Sequence, residues 1–190
     1  MGNKANIRIA QVARVFLAPV GTAAPLDART PMAAVWKEVG YFTPDSLNWA
    51  TDPSFEEVRS HQSRHPTRRF QTEDAASFGV DLQEWSGRNF RTVYGGGTIT
   101  EVTPATTPPT YRFAPPQIGG REQVAAVIEI IDGDVHFRRI IPSAEQNEGV
   151  EQSFEATSES TLPLRMAVNG SDIGDPWYDL TDASSFAPEE

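Results

Sequence analysis

The chain has 190 residues, 15 of them proline and 14 glycine, and 38% of its residues are hydrophobic. This balance favours one compact core with long irregular loops and argues against a helical bundle. The lack of any cysteine excludes disulfides, thiolate nucleophiles and cysteine-ligated zinc or iron–sulfur sites.

The formal net charge of −10 is distributed unevenly. Residues 1–100 hold 11 Lys/Arg and 10 Asp/Glu, a net of +1, whereas residues 101–190 hold 5 Lys/Arg and 16 Asp/Glu, a net of −11. Such an acidic half disfavours adhesion to nucleic acid phosphates. No apolar run is long enough for a membrane span, and residues 1–16 lack the apolar stretch of a secretory signal peptide.

The first third of the chain is predicted to be partly extended. Residues 7–17 are apolar-rich and end as a strand, and the prolines that follow disfavour regular structure. The alternation typical of a strand resumes over residues 34–42. Residues 43–69 combine prolines with an arginine-rich run and are predicted to form a long loop, with 55–62 as a candidate strand within it.

Clear strand and helix signals lie between residues 76 and 97. Phe78, Val80 and Leu82 alternate with polar or small residues, which predicts a half-buried strand. Ser86 is a favourable N-cap and Gly95 a left-handed stop, so a short helix is predicted over about 86–94.

The later chain is predicted to consist of strands. Short extended runs at 98–102 and 110–115 are followed by two β-branched runs that flank Asp132–Gly133, a dipeptide favoured at two-residue type I′ turns. Further extended runs are predicted at 150–158 and 161–168. The residues beyond 169 are acidic and loop-like.

Together these patterns predict a mainly β fold, an antiparallel β-sandwich or partial barrel with one short flanking α-helix. Residues 1–34 would supply an N-terminal strand and an extended arm, and residues 35–170 the β-sandwich domain with its long mid-chain loop. Residues 171–190 would form an acidic C-terminal arm.

No catalytic, metal or cofactor site is predicted. His61 and His65 have the i, i+4 spacing of zinc ligands on a helix, but Pro66 opposes a helix there and the neighbouring arginines repel a cation. The glycines at 95–97 follow the predicted helix, so they meet the negative end of its dipole rather than the end that binds phosphate.

The basic run 59–69 holds four arginines, two histidines and no acid. It lacks the interleaved aromatic residues that stack on nucleic acid bases. Two interpretations stay open: a basic loop that meets an acidic edge of another copy, or a solvated loop whose ion pairs contribute little.

Four segments in this order resemble the major tail tube protein of long-tailed, non-contractile bacteriophages, especially those infecting actinobacteria. They are "APVGTAAPLD" (18–27), "WKEVGYFTPDSL" (36–47), "DLQEWSGRNFRTVYGGG" (81–97) and the hairpin around "IEIIDGDVHF" (128–137). The similarity in order and spacing extends over residues 15–170, which is most of the chain.

The resemblance implies a structural, non-enzymatic subunit without a cofactor. Six copies would close a ring, and rings would stack into a tube whose acidic lumen conducts DNA during ejection. The −10 of each subunit becomes −60 per ring (6 × −10), which would repel the phosphates of the passing duplex. The implied location is the phage tail of the virion, assembled in the host cytoplasm.

The implied partners are other copies of the chain, the tape measure, tail terminator and distal tail proteins, and transiently double-stranded DNA, with no membrane. In such proteins both terminal arms and a mid-chain loop reach neighbouring subunits. The predicted inter-subunit contacts are Phe16, Leu17, Pro19, Pro25, Leu47, Trp49, Arg64, Arg68, Arg69, Trp177 and Tyr178. The acids predicted to face the lumen are Glu129, Asp134, Glu151 and Glu155.

Two alternatives stay open from the sequence. One is the tube protein of a contractile tail or of a secretion system like type VI. The other is a ligand-binding β-sandwich, in which Trp49, Trp177 and Tyr178 would form the binding platform.

Overall fold

The computed structural model describes residues 4–102, 107–154, 156–170 and 174–188. The fold is mainly β, with 44% strand and 7% helix, which confirms the predicted class. The elements are β1 (Val12–Pro19), β2 (Lys37–Glu38), β3 (Asn48–Val58), β4 (Arg68–Leu82), α1 (Gly87–Val93), β5 (Thr98–Glu101), β6 (Tyr111–Ala114), β7 (Gln123–Asp132), β8 (Val135–Gln146), β9 (Leu162–Val168) and β10 (Tyr178–Thr181), with single 3₁₀ turns at Lys4–Asn6 and Ser184–Phe186.

Eight of the strands form one antiparallel sheet in the order β2-β1-β7-β8-β9-β4-β3, with β10 paired to β8 as well. The sheet turns at β8, since residues 137–140 pair with β10 and residues 144–146 pair with β9. The two halves of the sheet therefore face each other, and their inward side chains from β1, β7, β8, β9 and β4 form the main core. This arrangement is an unclosed antiparallel sandwich.

Strand β1 is a central strand with both faces buried. Leu17 points into the main core, whereas Phe16 packs in a second cluster with Trp36 and Val127 on the opposite face. Burying an apolar side chain of this size contributes about 1.5–3 kcal/mol to stability. The prediction that Phe16 and Leu17 contact a neighbouring subunit is at odds with this burial, because β1 belongs to the sheet and not to a free arm.

The predicted loop over 43–69 is wrong over about half of its length, since residues 48–58 and 68–69 lie in strands. Strands β3 and β4 pair from Asn48↔Gly79 to Val58↔Arg68, so only residues 59–67 connect them. Pro53 is tolerated within β3 because this strand lies at the edge of the sheet, where a missing N–H costs no ladder hydrogen bond. The register shifts by one residue between Ser54 and Phe55.

The hairpin between β7 and β8 is confirmed, but its turn differs from the predicted one. Asp132 pairs with Val135, so the two turn residues are Gly133 and Asp134. Gly133 has a φ of +59°, whereas Asp134 does not have a positive φ. A glycine alone in the left-handed region at the first turn position is typical of a type II′ turn, not type I′.

The predicted helix is confirmed as α1, and Ser86 caps it by accepting a hydrogen bond from the Asn89 backbone N–H at 3.1 Å. The helix carries the small β5–β6 sheet through aromatic packing, with the rings of Phe90 and Phe113 centred 5.3 Å apart. The Asn89 side chain is buried and donates to the carbonyl oxygen of Val39 at 2.7 Å. The helix is thereby fixed to the segment that follows β2.

Two other predictions fail near the C-terminus. The described residues between 150 and 158 contain no strand, and the chain there is irregular. The loop-like tail expected beyond residue 169 contains β10, which pairs with β8 from Tyr178↔Ile140 to Thr181↔Phe137. Strand β10 forms because β8 offers it a free edge, a long-range partner that a local sequence pattern does not reveal.

Candidate assembly surfaces

The outer part of the β3–β4 hairpin, residues 50–75, forms a two-stranded ribbon that extends away from the sandwich. Strand β9 pairs with β4 only over residues 77–82, and no other described strand pairs with the ribbon. All residues of 50–58 and 68–75 are exposed. At about 3.3 Å per residue the ribbon projects roughly 25 Å. An isolated two-stranded hairpin is at best marginally stable in water, so we expect another protein surface to cover the ribbon.

The ribbon exposes apolar side chains that its own subunit does not cover. Phe55, Val58 and Phe70 are 58%, 48% and 41% exposed. Val58 pairs with Arg68, and Glu56 pairs with Phe70, so these four side chains lie on one face. Phe55 and Glu57 lie on the other face. Apolar groups on both faces of a thin projection indicate a protein–protein contact.

The structure places the three arginines predicted as contacts on the exposed outer ribbon. Arg64 lies in the connection between the strands and Arg68 begins β4. Arg69 pairs with the Glu57 carboxylate at 2.7 Å, and Arg59 contacts the same carboxylate at 2.9 Å. The hydrogen bonds from Arg59 and then Arg69 lower the pKa of Glu57.

Trp49 and Trp177 enclose an arginine and do not form an open platform. The Arg139 guanidinium lies 4.3 Å from the ring centre of Trp49 and 4.6 Å from that of Trp177. The Asp179 carboxylate accepts two hydrogen bonds from the same guanidinium, each at 2.8 Å. This cluster joins β3, β8 and β10 within one subunit. The geometry disfavours the ligand-binding platform, since the guanidinium already occupies one face of each indole.

Tyr178, the third predicted platform residue, also packs inward. It lies on the opposite face of β10 from Asp179 and contacts the second core cluster together with Leu180. Pro19 ends β1 and is exposed, and Pro25 is half-buried in the segment before β2. Of the predicted contacts in the arms, Pro19 is therefore exposed, whereas Pro25, Trp177 and Tyr178 are half-buried.

Leu47 lines an open groove of about 870 Å³ at one end of the sandwich. Phe42, Leu47 and Trp49 form one wall, and Ile128 and Ile130 form part of the other. The groove therefore reaches the main core, to which Ile128 belongs.

The four acids predicted to face a lumen lie in different environments. Glu129 is only 4% exposed, and Arg138 donates to its carboxylate at 2.6 and 2.8 Å. This burial contradicts a lumen-facing role for Glu129, since the carboxylate is used inside the subunit. Asp134 and Glu151 are exposed, and Glu155 lies outside the described residues.

Arg138 also fixes the segment between β1 and β2. Its Nη1 donates to the carbonyl oxygens of Asp27 and Thr30 at 3.0 and 2.8 Å. The Thr30 side chain, then the Thr30 and Arg29 backbone N–H groups, donate to the Asp27 carboxylate and lower its pKa to about 2. The segment is thus held by a chain of hydrogen bonds that starts at the buried Glu129.

The C-terminal segment is tied to the same region. Asp182 accepts a hydrogen bond from the His136 backbone N–H at 2.9 Å and forms an ion pair with Arg29. Burial raises the pKa of Asp182, but the bonds from His136 and Arg29 outweigh it and lower the pKa overall.

Within the part of the chain that the structure describes, no group of three or more His, Asp or Glu side chains is arranged to hold a metal ion. None of the described helices has the length and apolar character needed to cross a membrane.

Residues 1–186, nearly the full length of the chain, match the family model described as phage tail tube protein. No curated protein matches the chain.

Proposed function

Because the chain belongs to the phage tail tube protein family, we propose that it forms hexameric rings that stack into the tube of a long-tailed, non-contractile phage. The family makes it a structural component of the virion tail that self-assembles into a tube with other tail proteins. The ring size, the lumen and the type of phage are the proposed part.

The observation that carries the proposal is the exposed ribbon. It leaves two strand edges and the side chains of Phe55, Val58 and Phe70 without a partner in the subunit. Exposed strand edges and apolar groups of this kind promote association with further chains. In a tube each ribbon would be covered by a neighbouring copy, so its stability would come from assembly.

The acidic charge supports a lumen that conducts DNA. Six copies would carry −60 per ring (6 × −10), and fixed negative charge repels duplex phosphates instead of binding them. Asp134 and Glu151 are exposed and are the described acids proposed to line this channel. Glu155 is proposed with them, whereas Glu129 is buried and does not line the channel.

The ends of such a tube differ from its middle, since the last ring on each side exposes an unpaired surface. We therefore place the tail terminator protein at one end, the distal tail proteins at the other and the tape measure protein inside during assembly. Assembly would take place in the host cytoplasm, and no membrane partner is involved.

Sedimentation velocity of the purified chain over a wide concentration range tests this function. A subunit of 20.9 kDa that closes a ring of six gives a species of about 125 kDa (6 × 20.9), followed by larger stacks. A subunit-sized species at all concentrations, including those reached during tail assembly, counts against the proposed function.

A further inference from the structure

The charges of the ribbon are segregated along its length. Residues 58–70, which form its outer end, hold four arginines, two histidines and no acid. Residues 50–56 and 71–75, which form its base, hold four acids and no Lys or Arg. These acids are Asp52, Glu56, Glu73 and Asp74. Glu57 lies at the boundary and already holds Arg59 and Arg69.

The remaining charges are not neutralised within the subunit. Among the described residues, Arg64, Arg68 and the four acids of the base form no ion pair. Arg68 and Asp74 are six residues apart along β4, which corresponds to about 20 Å. That separation exceeds the Debye length of about 8–10 Å at physiological salt, so Arg68 hardly attracts Asp74 of its own ribbon. Glu56 is the exception among the acids of the base, since it lies diagonal to Arg68 on the same face.

Most of the unpaired charges lie on one face of the ribbon, but Asp74, which pairs with Pro53, lies on the other. The strand register places Glu56, Val58, Arg68 and Phe70 together, and Ser54 pairs with Glu73 farther down the same face. This face therefore carries acids at its base, an arginine at its outer end and two exposed apolar side chains between them. The opposite face holds the internally paired Glu57 and Arg69.

We propose that the ribbons of successive copies of this chain dock head to tail through this face. The basic outer end of one ribbon contacts the acidic base of the next, and Val58 and Phe70 are buried between them. The proposal rests on the proposed tube function and names the contact that joins its subunits. The pairing follows from charge complementarity, which gives specificity and fixes the relative position of two surfaces.

A head-to-tail contact has a structural consequence. Each copy that uses its outer end on one neighbour still presents its acidic base to another. Such a heterologous contact does not stop at a dimer but continues into a ring or a filament. A two-fold dimer would instead satisfy both ends at once and terminate growth.

Cysteine cross-linking tests the contact, because the natural chain has no cysteine and gives no background. Ser63→Cys marks the outer end, and Ala75→Cys marks the base next to Asp74; both positions are exposed and uncharged. The two sites are more than about 20 Å apart in one ribbon, well beyond the Cα separation of about 7 Å that a disulfide spans. Disulfides formed between these two sites under mild oxidation therefore report contacts between copies.

The expected result is that the mixture of the two single variants gives cross-linked dimers and that the double variant gives a ladder of higher oligomers. Each single variant alone should stay monomeric on a denaturing gel. Efficient cross-linking of Ser63→Cys with itself overturns the proposal, because it shows contact between outer ends. The absence of cross-linked dimers in the mixture also overturns the proposal, whether or not the wild-type chain sediments as rings. If rings form without this cross-link, the proposed function still holds and only the head-to-tail contact is refuted.

A charge exchange supplies an independent test. Arg64→Glu/Arg68→Glu and Asp52→Lys/Glu73→Lys should each raise the protein concentration needed for association by roughly tenfold or more, since like charges then face each other. Mixing the two variants should restore association, because the reversed end of one meets the reversed base of the other. Arg64→Lys/Arg68→Lys is the matched control and should associate as the wild type does. Failure of the mixture to recover overturns the proposal.

Discussion

Arg138 and Glu129 form an ion pair at 2.6 Å in which both side chains are almost fully buried, at 3% and 5% exposure. The pair lies across β7 and β8, where Glu129 is directly opposite Arg138. Arg14 approaches the second Glu129 oxygen at 3.7 Å. The pair and its carbonyl contacts hold the segment between β1 and β2 against the sheet, so we expect it to matter for folding rather than for contact with DNA.

Removing one partner of this pair should strongly destabilise the subunit. Arg138→Met leaves the Glu129 carboxylate buried without its main partner, and breaking a buried pair in this way costs about 3–5 kcal/mol. Urea denaturation of a monomeric form measures the change. The double variant Arg138→Met/Glu129→Gln also removes the unpaired buried charge, so its free energy of unfolding should fall by less than that of Arg138→Met alone. A single variant within about 1 kcal/mol of wild type would show that the pair is not structurally important.

Arg139 should control the docking of the last strand. Arg139→Lys keeps the positive charge but loses the paired hydrogen bonds to Asp179 and the guanidinium contacts with the Trp49 and Trp177 rings. Hydrogen exchange of the Tyr178–Thr181 amides should become faster by about tenfold or more, since strand fraying is a local opening. Arg112→Lys, on the exposed β5–β6 sheet, is the matched control and should leave these amides unchanged.

The pKa of Asp27 should depend on one hydroxyl group. Thr30 makes the largest contribution to its lowered pKa of about 2, so Thr30→Val should move the value up toward 3.8, whereas Thr30→Ser should retain it. Because folding lowers the pKa of Asp27, the ionised carboxylate stabilises the folded state at pH values above the unfolded-state pKa. This stabilisation is lost as the pH falls from about 4 toward 2. NMR titration of the Asp27 carboxyl measures this directly. An equal pKa in the valine and serine variants would contradict the assignment.

Removal of the ribbon should separate folding from assembly. Asp52 and Ala75 are paired across β3 and β4, so residues 53–74 can be replaced by Asn-Gly, which favours a two-residue hairpin turn. The core lies outside this region, and thermal unfolding should change little. Association should be abolished, as measured by sedimentation. A shortened chain that still forms rings would show that the ribbon is not a principal contact.

Local chemistry made several elements predictable from the sequence. The Ser86 cap and the Gly95 stop bound α1, and the alternation of Phe78, Val80 and Leu82 marks the buried half of β4. These signals depend on neighbouring residues only. The hairpin at Asp132–Gly133 was located for the same reason, although its pairing shifts the turn by one residue.

Elements that depend on distant partners were missed. The ribbon strands contain Pro53 and many charges because an exposed edge does not need apolar alternation, and this composition resembles a loop. The burial of Glu129 depends on Arg138 reaching it across the hairpin, and the role of Arg139 depends on two tryptophans far away in sequence. The basic outer end of the ribbon could be recognised in the sequence as the run 59–69. The acidic base could not, because its acids come from two separate segments that only the pairing of β3 with β4 brings together.

The most direct test of the account is negative-stain electron microscopy of the purified full chain at high concentration. We expect rings or tubes with a central hole, and we expect class averages of end views to show six subunits. Rings with another number of subunits would contradict the hexamer. Compact particles of subunit size under every condition would contradict self-assembly into a tube by this chain.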